Sequence, residues 1–271
     1  MKKGILGIVL VLVFFSCKDA HKKQIVKTAE KKIEQTVPAV DGDSTNEVTE
    51  EEEFKKDFDI LLPRSYRTYE NVNDAASLNE KWAELYEENG EYYIGKAKFK
   101  IEKGFDDCTG DSTKTILPEN KTLIFINNPE LKNRKVQSLK INKKRIWPGE
   151  KSTLKFDNTS YVLRAEGKVN SQYKVHTDDD KEEIFKEVEH YKLYLTAGNT
   201  PEKLILTEHS FNDTFTELLF SGDLDGDGKL DFIFGSNRNY EEERVLLFLS
   251  SPAANGEAVK KVSEIAVQFD C

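Results

Sequence analysis

The chain has 271 residues and is acidic, with 49 Asp and Glu against 40 Lys and Arg. The two signs are interleaved and no basic stripe appears, which speaks against nucleic acid as a partner. The length leaves room for a sizeable core in one β-rich domain once terminal segments are set aside.

Residues 1–17 read MKKGILGIVLVLVFFSC. Lys2 and Lys3 form a positive start, and Gly4 to Phe15 is an unbroken run of apolar residues and glycine. The run is short of the roughly 20 apolar residues that a spanning helix needs. It has the layout of a signal peptide. Ser16 places a small residue directly before Cys17, and the segment resembles bacterial lipoprotein signals of the Bacteroidetes type, with Phe14 and Phe15 in the positions preceding Ser16. That resemblance implies cleavage after residue 16 and a membrane lipid on Cys17. It places the chain in the cell envelope, at the outer membrane on its periplasmic face or the cell surface. An ordinary secretory signal with an incidental Cys17 is the alternative.

Residues 17–57 read as a tether. The stretch opens basic (HKKQIVKTAEKK), turns acidic (DGDSTNEVTEEEE) and has no aromatic residue before Phe54. Such a segment has too little to bury to offset its ordering entropy. Residues 58–271 then form one expected domain.

The domain opens with an expected packing helix. Ser77 supplies an N-cap with Glu80 at the capping-box spacing. Leu78, Trp82, Leu85 and Tyr86 follow at helical spacing, and Asn89-Gly90 ends the element. Strands follow at Tyr93 to Ile101, Thr122 to Ile126, Val136 to Ile141, Ser152 to Phe156 and Tyr161 to Val169. More are expected at Val188 to Leu195, Leu204 to Thr207, Thr214 to Phe220, Phe232 to Phe234, Val245 to Leu249 and Ile265 to Phe269. Many short strands punctuated by Pro-Gly and Asp-Asn pairs, with no helices between them, imply a mainly β, antiparallel fold. It is either a sandwich or a distorted barrel, with one N-terminal helix.

The sharpest motif is GDLDGDGKLDFIF, residues 222–234. Asp223, Asp225, Asp227 and Asp231 stand at relative positions 1, 3, 5 and 9, with Gly228 at 6 and Lys229 at 7. A hard cation such as calcium takes six to eight oxygens from a tight loop, and alternate residues of a curved loop supply them. Lys229 would contribute its backbone carbonyl, and Asp231 would complete the ring directly or through water. The first half resembles an EF-hand loop. An EF-hand also needs Glu at position 12, where this chain has Phe234, and a helix on each side. The loop is closer to the DxDxDGxxD calcium loops of FG-GAP repeats, which lie between short strands. That resemblance covers the loop and its edges only and implies no propeller. Phe220 to Ser251 as a whole resembles a segment that recurs in Bacteroidetes-type envelope lipoproteins, which implies fold support and no particular activity.

Other candidates carry weaker signals. Cys108 and Cys271 are an even pair once Cys17 is lipidated, and export permits a disulfide between them. Two free thiols, or a bond to another chain, are the alternatives. Acidic clusters occur at Asp106, Asp107 and Asp111, at Asp178 to Asp180, and at Glu241 to Glu243, where one glutamate could reach back to the ion. The four histidines lack zinc-site spacing, and Ser65, Ser210 and Ser221 have no visible base partner. These features favour a calcium-stabilised, lipid-anchored binding or structural module, with an envelope glycan or protein as its ligand. The alternative is an envelope hydrolase using scattered carboxylates, with Tyr92, Tyr93, Tyr191 and Tyr194 lining a cleft.

Overall fold

Dense β-branched and aromatic residues, broken by turn-forming pairs, give an almost purely extended chain. The computed structural model describes residues 54–176, 182–254 and 256–269. The expected signal segment, Cys17 as the expected lipidation site, most of the expected tether, Asp178 to Asp180 and Cys271 lie outside the described residues. The first strands are β1 (Ile60–Leu61), β2 (Ser65–Arg67), β3 (Ala83–Glu88), β4 (Glu91–Lys96), β5 (Phe99–Phe105) and β6 (Ser112–Pro118). Next come β7 (Lys121–Ile126), β8 (Arg134–Val136), β9 (Lys151–Phe156), β10 (Thr159–His176) and β11 (Glu182–Ala197). The last are β12 (Lys203–Ser210), β13 (Glu217–Gly222), β14 (Asp231–Gly235), β15 (Glu242–Leu249) and β16 (Lys260–Gln268).

Among the described residues the strands form four sheets, in the orders β1-β7-β3-β4-β8, β12-β11-β10-β9, β13-β14-β15-β16 and β2-β6-β5. Every pairing between these strands is antiparallel. None of the four closes on itself, so the barrel alternative is set aside. The β13–β16 sheet is central. One face packs Phe232, Phe234, Leu246 and Phe248 against Tyr161, Leu163, Tyr191 and Leu193 of the β9–β12 sheet. The other packs Ile233, Val245 and Leu247 against Leu85, Ile94, Ile124 and Val136 of the five-stranded sheet. A sheet covered on both faces needs apolar residues at every position, which is why Phe232 to Phe234 and Val245 to Leu249 read as continuous apolar runs. Trp82 and Phe125 pack with Tyr66 and Ile116 of the three-stranded sheet in a third cluster.

The expected helix at residues 77–89 is overturned. A short 3-10 turn, Asp74–Ser77, comes first, and its N-cap is Asn73, whose side chain accepts from the Ala75 amide at 3.1 Å. Ser77 therefore ends a helical turn instead of starting one. Trp82 sits in a bend, Leu85 lies in the strand that follows it, and β3 and β4 form a hairpin through Asn89 (φ 53) and Gly90 (φ 81). Positive φ at both central residues is the tight hairpin turn that Asn-Gly favours. Leu85 pairs with Ile94 on one side and Ile124 on the other. Ladders on both edges outweigh a weak helical periodicity. The expected strand at Tyr93 to Ile101 is likewise two strands, β4 and β5, which enter different sheets.

Candidate metal centre

The loop between β13 and β14 begins where the backbone is most crowded. A side chain on Gly222 would sit 2.7 Å from the Gln137 carbonyl and 2.9 Å from the Ser138 Cα, so only glycine fits. The Asp223 amide donates to that Gln137 carbonyl at 2.9 Å. Leu224 and Leu230 are fully buried and anchor the loop at both ends. Between them Gly226 (φ 90) and Gly228 (φ 82) take left-handed turns that other residues resist.

This path turns three carboxylates toward one point. Asp223, Asp225 and Asp227 each offer an oxygen within 4.8 Å of the others. Two oxygens on opposite sides of a calcium ion, each at about 2.4 Å, lie up to about 4.8 Å apart. The spacing fits one hard cation. The carboxylates also order the loop: Asp223 accepts from the Gly226 amide at 2.7 Å, Asp225 from the Asp227 amide at 3.2 Å, and Asp227 from the Lys229 amide at 2.9 Å. The Lys229 ammonium lies on the exposed side, 3.3 Å from Asp227 Oδ2.

Asp231 differs from the other three. It is fully buried. Its Oδ2 accepts from the Leu224 and Asp225 amides at 2.6 and 3.1 Å, and its Oδ1 accepts from the Ser250 amide and hydroxyl at 2.7 and 2.9 Å. Both lone pairs of both oxygens are thereby engaged. Burial, and then the Asp225 charge, push its carboxyl up to about 8, against the pull of Ser250 and Leu224. The donor pattern is nevertheless one built for a carboxylate, since backbone amides can only donate.

Two participants had no signal of their own in the motif. Arg134 on β8 donates to the Asp223 carbonyl at 2.6 Å and approaches Asp223 Oδ1 at 3.4 Å. Ser250, at the end of β15, bridges Asp227 and Asp231 at 2.9 Å each. Arg134 comes from another sheet, beyond the reach of local spacing. Ser250 ends an apolar strand, and only the ladder between β14 and β15 brings it to the loop.

The remaining candidates disperse. Glu242 is buried against Arg238 and Gln268, and Glu243 pairs with Arg64 at 2.6 Å. Asp106 caps its own turn, accepting from the Cys108 and Thr109 amides at 3.0 and 3.1 Å, and pairs with Arg67 at 2.8 Å. Ser221 is buried and its hydroxyl has no hydrogen-bond partner among the described residues. Tyr191 donates to the Ile146 carbonyl inside the core, and Tyr194 lies under Arg164. Tyr92 meets Phe220 edge-on, and Tyr93 stacks on Tyr86. These four tyrosines belong to two different sheets and line no common cleft.

No family model matches the chain, and no curated protein or solved structure matches it. The functional reading therefore rests on the geometry of this loop.

Proposed function

We propose that the chain is a lipid-anchored protein of the cell envelope whose loop 223–231 binds calcium to stabilise a β-rich binding or structural module. One observation carries the metal reading: three carboxylates spaced for a single cation, on a loop whose amides they already order. Asp223, Asp225 and Asp227 supply side-chain oxygens, and Lys229 supplies its backbone carbonyl. Asp231 supports the ring from beneath. A buried carboxylate beside three others is costly without positive charge, and a divalent ion meets that need more fully than the peripheral Arg134 and Lys229. Calcium suits the loop better than magnesium, which demands a smaller octahedral shell and keeps its waters. The anchor is membrane lipid on Cys17, with residues 17–57 as spacer, at the outer membrane on either its periplasmic face or the cell surface. A Cys108–Cys271 disulfide would tie the β5–β6 turn to the chain end. The module's ligand would be an envelope glycan or protein.

The test is a melting curve of the chelated chain titrated with calcium and, separately, with magnesium. Calcium should raise the melting temperature and magnesium should raise it less. An unchanged curve, with calorimetry excluding tightly retained ion, would discard the calcium reading. Cys17→Ser should move the protein out of the membrane fraction or block its processing, and lipid incorporation equal to wild type would discard the anchor.

A further inference from the structure

A pair of histidines stands on the β9–β12 sheet, at a break in its regular ladder. Glu166 on β10 pairs with Lys192 on β11, and Lys168 pairs with Glu189. Gly167 therefore faces two residues, His190 and Tyr191, which is a β-bulge. The bulge is closely fitted: a side chain on Gly167 would lie 3.1 Å from the Val188 side chain and 3.2 Å from the Glu189 carbonyl. Tyr191 keeps its place in the core. His190 is the extra residue, exposed and held at φ 52, a left-handed conformation that side chains other than Asn, Asp and His seldom adopt.

On the other side of β11 the register runs regularly past His190 and shifts only later, between Leu193 and Tyr194. Glu189 pairs with Ser210 and Tyr191 with Glu208, which sets His190 opposite His209. Along β12, Leu206 and Glu208 point inward while Thr207 and His209 are exposed. The two imidazole rings lie 4.7 Å apart between centroids, at 78° to one another. Two imidazoles bound to one ion through nitrogens at about 2.0–2.1 Å, near the tetrahedral angle, put their centroids roughly 5 Å apart. A bulge that re-aims a side chain is a device found beside functional sites, and here it sets one histidine against another. Glu189 adds nearby negative charge.

We infer that His190 and His209 form a surface site for a borderline divalent transition metal of the zinc class, with water completing the shell. The inference is independent of the calcium reading, because the acidic loop offers only oxygen ligands and favours a hard ion.

The test uses the full-length chain saturated with calcium and titrated with zinc against a chromogenic chelator. Zinc should bind at one site that His190→Asn and His209→Gln each weaken by at least tenfold. Asn tolerates the left-handed backbone at 190, so that variant keeps the bulge. His209→Gln, at an ordinary strand position, carries the test by itself if His190→Asn lowers the melting temperature. His176→Gln should leave zinc affinity unchanged. Zinc should also shift the imidazole resonances of His190 and His209 together. Absence of zinc uptake at millimolar concentration would overturn the site. Equal affinity in the wild type and His209→Gln would overturn it too.

Discussion

Two acidic turns of this protein contain similar residues and do different things. The β5–β6 turn has Asp106, Asp107 and Asp111 with Gly110, and the β13–β14 loop has Asp223, Asp225, Asp227 and Asp231 with Gly226 and Gly228. In the first, Asp106 spends its oxygens on its own turn and on Arg67, and the neighbouring residues are exposed. In the second, Leu224 and Leu230 sink both ends into the core, and Asp231 clamps the loop from inside. Three carboxylates are then left converging on one point. Acidic composition is common to both. The difference is the buried frame, which prevents the loop from relaxing its mutual repulsion by opening.

The largest effect should come from breaking that frame. Asp231→Ala strands the buried Leu224 and Ser250 amides, each costing about 1–3 kcal/mol when unsatisfied. We expect a loss of about 3 kcal/mol or more by denaturant titration, with or without calcium. A loss seen only with calcium present would make Asp231 a ligand and not a clamp. Next is the ion itself. Binding to the folded state alone adds RT ln(1 + [L]/Kd), about 2.7 kcal/mol at a hundredfold excess over Kd. Asp227→Ala should remove most of the calcium-dependent rise in melting temperature, while Lys229→Ala should preserve it. If the lysine variant alone loses the response, the carbonyl assignment fails.

A third turn separates backbone strain from charge. Asn89 holds φ 53 with no acidic residue in the two-residue turn. Asn89→Ala should cost about 1 kcal/mol, the price of a left-handed Cβ. Neutral or improved stability would point to a helix end at this position. The smallest effect belongs to Asp106. Arg67 holds its carboxyl at about 2, with the Thr109 amide adding to it. An unfolded aspartate titrates near ~3.9, so the folded form binds the proton more weakly. The stabilisation is complete above about pH 5 and is lost as pH falls through about 2. The melting-temperature advantage of wild type over Asp106→Asn should narrow across that window, and an advantage growing with acid would reject the pair.

Much of this protein is legible in its sequence because the physics is local. Turn pairs such as Asp157-Asn158 mark strand ends, and the apolar runs at Phe232 to Phe234 and Val245 to Leu249 mark two strands. The glycines and alternate aspartates of residues 222–231 describe a curved acidic loop by themselves, since φ preference and side-chain charge belong to each residue. Other features depend on what arrives from far along the chain. The stretch from Ser77 to Gly90 reads as a helix by spacing, and the ladder with β7 makes it a hairpin instead. Arg134 and Ser250 join the loop only because separate strands carry them there. Whether Asp231 faces the ion or clamps the loop is equally silent in the motif, because it is set by which donors the neighbouring strand delivers. His190 and His209 are neighbours only through the β11–β12 register and a bulge that one glycine makes room for. Local chemistry chose the residues capable of holding an ion, and long-range pairing chose which of them meet.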